Sequence, residues 1–110
     1  MTLPRRIPRE RVKERYNPTP TAREKAYHLW LMEVFPCICG CGGAATVVHH
    51  PLTRHPNQRW RRDHEYVVPM AAECHMYLHA TGDERLWRPD LPLGWLAHRL
   101  RNDAIELCKL

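Results

Sequence analysis

The chain has 110 residues, 17 basic and 12 acidic, with a formal net charge of +5 and 44% hydrophobic residues. This suits one domain of modest size, with a core that is possible but small, so a metal staple would help it. No apolar run approaches the roughly 20 residues of a membrane-spanning helix. Five cysteines, an odd number with no leader peptide ahead of them, argue against a secreted disulfide scaffold; reduced thiols in the cytoplasm are expected.

The first segment, "MTLPRRIPRERVKERYNPTP", is broken by prolines and dense in charge. It reads as a basic flexible arm over residues 1–20. Residues 1–25 carry eight Arg or Lys against three Glu, and 8 − 3 = +5 accounts for the whole net charge. Arg5, Arg6, Arg9, Arg11, Lys13 and Arg15 in this arm suit a polyphosphate such as DNA, which they would bind by counterion release. A solvated tail explains the same composition about equally well.

Residues 21–110 read as the folded domain. "TAREKAYHLWLMEVFP" predicts a helix capped by Thr19 or Thr21 and ended by Pro36. Ala22, Ala26, Leu29, Trp30 and Val34 recur at helical spacing and are expected to face the core. "CICGCGG" predicts a tight knuckle, and "AATVVHHPL" a strand centred on Val47 and Val48. "TRHPNQRWRRDHE" reads as a polar loop. Its Arg54, Arg59, Arg61 and Arg62 are placed to track phosphates, and Trp60 between them is expected to pack under the loop, with stacking on a base as the alternative. "YVVPM" predicts a second strand, and "AAECHMYLHATG" a helix capped by Gly82. The remainder predicts a turn and a final helix over about 93–109, with Leu93, Leu96, Leu100, Ala104 and Leu107 inward. Cys108 reads as a small core residue.

Chemistry concentrates in residues 37–82. His75 and His79 stand four apart on a predicted helix and therefore share a face, the spacing of two ligands on one metal. His49 and His50 close the first strand. Strand alternation sends neighbours to opposite faces, but irregularity before Pro51 would let one bind metal while the other stays free as a base. Cys37, Cys39, Cys41 and Cys74 could bind a structural zinc. Their Cys-x-Cys-x-Cys spacing leaves open whether all of the first three take part.

The ordered string Cys…Cys…His-His…Arg-x-x-His…Val-Pro-Met-x-x-x-Cys-His-x3-His resembles the HNH endonucleases, the ββα-metal nucleases, and within them the phage-encoded RecA-dependent group. The resemblance covers residues 36–80. It implies an α+β fold: a small, zinc-stapled ββα-metal core over about 37–82 with flanking helices. It implies His49, His75 and His79 as ligands of a divalent ion (magnesium, manganese, zinc or nickel) and His50 as general base. Three positions depart from the family pattern: Ala71 for a cysteine, His64 for an aspartate, and Tyr66 near the place of the middle asparagine. His64, Asp63 and Glu65 are the candidates to orient His50, and His64 is counted with the catalytic group. The expected function is metal-dependent hydrolysis of DNA with little sequence specificity, in phage-type recombination or DNA processing within the host cytoplasm. DNA is the expected partner, with a recombinase filament as a further one and no membrane. The alternatives are a non-catalytic zinc-stapled DNA-binding module and a protein-interaction zinc module.

Overall fold

The computed structural model describes residues 19–58 and 62–110. The basic arm, with Arg5, Arg6, Arg9, Arg11, Lys13 and Arg15, lies outside the described residues, as do Arg59, Trp60 and Arg61. The rest is a small α+β unit. In chain order it has helix α1 (Ala22–Val34), strands β1 (Val47–His49) and β2 (Val68–Met70), and helices α2 (Ala72–Thr81), α3 (Glu84–Trp87) and α4 (Leu93–Glu106). None of these helices is long and apolar enough to cross a membrane.

Local chemistry sets the boundaries. Thr21 starts α1 with a reciprocal capping box: Glu24 N donates to Thr21 Oγ1 at 3.2 Å, and Thr21 N donates to Glu24 Oε1 at 2.8 Å. Phe35, held extended before Pro36, ends it. The two strands pair antiparallel, Val47 with Met70, Val48 with Pro69 and His49 with Val68. Helix α2 has no cap from its own Ala71. Thr46 does that work from the strand side, its hydroxyl accepting from Ala72 N at 3.2 Å. Gly82 closes α2 at φ +82°, where its N–H reaches the Leu78 carbonyl.

Helices α1 and α4 both pack on β2, whose three residues are all buried, while α2 lies against β1 and α3. Tyr27 and Leu31 from α1, Tyr66 to Met70 around β2, Leu78 from α2, and Leu93, Ala97 and Leu100 from α4 make up most of the core.

Four expectations need correction. The inward face of α1 is Tyr27, His28 and Leu31, with Trp30 packed beside it, whereas Leu29 and Val34 are 59% and 54% exposed and Ala22 and Ala26 also face outward. In α4, Leu93, Leu100 and Ala104 are inward as expected and Leu96 packs partly. Ala97 joins them, and Leu107, past the helix end, is exposed. Cys108 is exposed at φ +59° rather than buried. Segment 84–87, expected as turn, is a short helix begun by Asp83, whose carboxylate accepts from Arg85 N at 2.9 Å.

Candidate metal centre and cleft

The knuckle turns through Gly40 and Gly42 at φ +82° and +83°, a backbone region that glycine enters without strain. Cys37 N donates to Gly43 O at 3.0 Å and Ile38 N to Pro69 O at 2.9 Å, so the knuckle is fastened to itself and to β2. This gathers Cys37, Cys39 and Cys41 around Cys74 of α2, with all four sulfurs within 4.8 Å of one another. The contacts Cys37–Cys39, Cys39–Cys74 and Cys41–Cys74 are 3.3, 3.5 and 3.7 Å. Zinc with Zn–S bonds of about 2.3 Å sets its sulfurs roughly 3.8 Å apart. The four thiols therefore fit a structural metal such as zinc, and none of the first three is set aside. The Gly43 N–H, then the neighbouring sulfurs, lower Cys41 to about 7, whereas burial foremost raises Cys39 and Cys74, so Cys41 is the readier of these three to become the thiolate that a metal needs.

The second donor group is His49, His75 and His79, whose ligand nitrogens also lie within 4.8 Å of one another. The Nε2 atoms of His75 and His79 are 3.0 Å apart. The His49 ring stands 5.2 and 5.9 Å, centroid to centroid, from those of His75 and His79. Burial, then His49 and His79, hold His75 below its ordinary pKa and so in the neutral form that coordinates metal.

His50 is not part of that group. Strand β1 ends at His49, and His50 turns toward the loop before β2 and toward α1. Its Nε2 meets His64 Nδ1 at 2.9 Å. Its ring lies 5.0 Å from that of His64 and 6.3 Å from that of His28. His28 Nε2 donates to the His64 carbonyl at 2.7 Å, which fixes the backbone that carries His64. Asp63 instead accepts from Glu65 N at 3.0 Å, and Glu65 pairs with Arg101 at 2.8 Å. Among the three candidates to orient His50, His64 touches it. Burial foremost, then Arg62 and the surrounding imidazoles, lower His50 to about 3, so it is neutral at physiological pH.

Both groups of imidazoles open onto one cleft of about 630 Å³, lined also by Arg62, Pro51, Leu52, Val48 and Leu78. Six histidines (His28, His49, His50, His64, His75 and His79) share this wall. Of the loop arginines expected to track phosphate, Arg62 reaches the cleft, while Arg54 donates to the Gln58 carbonyl at 3.1 Å. Tyr66 stands away from His50, buried in the core with its hydroxyl 3.2 Å from His98 Nδ1.

Sequence reasoning missed Glu84 and His28. Glu84 is 2% exposed, and its Oε2 lies 2.6 Å from His49 Nε2. The same oxygen accepts from Leu52 N at 2.6 Å, and Oε1 accepts from Thr53 N at 3.0 Å and Thr53 Oγ1 at 2.8 Å. Burial alone would raise this carboxyl, but the hydrogen bonds from His49, Leu52 and Thr53 prevail and lower it to about 2. The available signal was Asp83 as a helix cap, which would have placed Glu84 in a first turn rather than a solvated loop. Comparison with protein-family models, curated proteins and solved structures gave no match, so the functional reading rests on the site itself.

Proposed function

We propose that this protein is a metal-dependent endonuclease of HNH type that hydrolyses DNA phosphodiester bonds. The observation that carries the reading is the division of labour within one cleft: three imidazoles converge as a ligand set, while His50 stands outside that set, neutral and held by His64. A hairpin followed by a helix that carries two of the ligands supports the same reading. A divalent ion on His49, His75 and His79 would supply electrostatic stabilisation of the phosphoryl oxygens and of the leaving 3′ oxygen.

The chain's own groups do the rest. His50 takes a proton from water as the water oxygen bonds to phosphorus and the bond to the 3′ oxygen breaks. His64 holds the His50 ring in place. The negative charge of the bound phosphodiester raises His50 from its lowered value and so strengthens it as a base. Arg62 offers the phosphate a guanidinium at the rim. Nothing in the cleft is arranged to read base edges, so cleavage with little sequence preference is expected.

The test is nicking of supercoiled plasmid with magnesium, manganese or EDTA, beside His50→Ala. The reading expects metal-dependent nicking that falls by about 10²- to 10⁴-fold in the variant, with DNA binding kept. Salt-sensitive binding without nicking, with or without a recombinase filament added, would replace it with the zinc-stapled DNA-binding module.

A further inference from the structure

We propose that Glu84 is the positioning residue of the histidine centre: it holds His49 in the Nε2–H tautomer and thereby makes Nδ1 the atom His49 offers to a divalent ion. The inference rests on the ligand role proposed for His49, His75 and His79. Its geometry is independent of any cleavage reaction.

The argument begins with hydrogen-bond arithmetic. Each Glu84 oxygen receives one backbone N–H, Oε2 from Leu52 and Oε1 from Thr53. A backbone N–H can only donate, so both oxygens must be acceptors. An ionised carboxylate meets that demand and an amide does not, because either orientation of a glutamine would aim its NH2 at a backbone N–H. With Oε2 thus an acceptor, the His49 Nε2 atom 2.6 Å away must carry a hydrogen. A neutral imidazole protonated on Nε2 keeps its one lone pair on Nδ1.

Burial makes the arrangement selective. His49 and Glu84 are 4% and 2% exposed, so water does not compete for either partner. A carboxylate behind a ligand imidazole both fixes the ring and raises its basicity toward the ion. The other two ligands, His75 and His79, sit half-buried and exposed on α2. His49 is therefore the fixed corner of the set, and Glu84 is what fixes it.

A merely structural Glu84 would only fasten residues 52–53 to α3. Two measurements separate the roles. With zinc bound at the cysteine centre and the histidines left without an ion, ¹⁵N-resolved NMR of the histidine side chains should show His49 protonated on Nε2. Cobalt titration followed by optical absorption should then show Glu84→Gln binding at the histidine centre weakened by roughly 10- to 100-fold, with the thiolate-to-cobalt bands of the cysteine centre unchanged. Thr53→Val, which removes one loop contact of Glu84 and leaves His49 alone, should bind cobalt like the unaltered protein. His49 protonated on Nδ1 would overturn the proposal even if Glu84→Gln does not fold. So would unweakened binding in Glu84→Gln, equal weakening in Thr53→Val, or no binding at the histidines of the unaltered protein. A Glu84-dependent cobalt site in a protein that never nicks DNA would support the proposal while removing the nuclease reading.

Discussion

Cys74 and His75 are neighbours in sequence and belong to different centres. Successive residues on a helix point about 100° apart, so α2 presents a sulfur to the knuckle and an imidazole to the cleft. The knuckle group has four soft donors, wrapped by a loop that is hydrogen-bonded to itself and to β2. The cleft group has three imidazoles and an open side facing about 630 Å³ of space. Four closed donors fit a structural centre, and under the proposed function three imidazoles with a free position would form one that can admit substrate. The segment after α2 ties the two together. Glu84 supports His49, and Arg88 four residues later donates to the Cys39 carbonyl at 2.9 Å while gripping Asp90 with two hydrogen bonds.

The contrast is broken most severely at the shared helix. Cys74→Ser should release the structural metal and with it the folded state, because metal-binding energy in so small a domain is folding energy. His75→Ala, one residue on, should leave the circular dichroism spectrum intact and abolish metal binding at the histidines. Equal unfolding of both variants would erase the distinction between the centres.

The next effect falls on the cleft alone. Helix α4 crosses the loop after His50 at Gly94, where an added Cβ would run into the Thr53 carbonyl oxygen. Gly94→Ala must push that loop aside, at a cost of about 3 kcal/mol or more. Thr53 is also a Glu84 partner, so the variant should lose stability in urea and bind metal more weakly at the histidines, while the cysteine centre keeps its ion.

The mildest effect concerns imidazoles that belong to neither centre. His55 and His98 stack with centroids 3.7 Å apart and planes 6° from parallel. Burial and then His98 hold His55 below its ordinary value. The unfolded chain takes up this proton near pH 6.5, before the folded one does. The contribution to stability is therefore complete above that pH and declines as pH falls below it. Thermal melts across this range should show that decline, and His55→Gln should make it shallower without changing metal content at either centre.

Much of this frame could be read along the chain, because local chemistry sets it. The Thr21 cap, the stop at Pro36, Gly82 and the i, i+4 pair of His75 and His79 all depend on near neighbours. The four cysteines were legible as a group, although their spacing left the number of participants open until the knuckle's turn was seen. The buried face of α1 was not legible. Tyr27 and His28 carry polar atoms, so apolar periodicity favoured Leu29 and Val34, while packing against β2 selected the other side. Glu84 was hidden for the same reason in reverse: within "GDERLW" a glutamate looks solvated. Only the fold brings the His49 ring and two backbone N–H groups to it.

The central claim is that two separate ions occupy two unlike centres on one helix. Anomalous X-ray scattering from crystals of the zinc- or manganese-loaded protein tests it most directly. The account predicts one zinc peak among Cys37, Cys39, Cys41 and Cys74, and a second peak among His49, His75 and His79, exchangeable for manganese and facing His50 across the cleft. A loaded crystal with no peak at the histidines, or with a single ion shared between cysteine and histidine ligands, would contradict it.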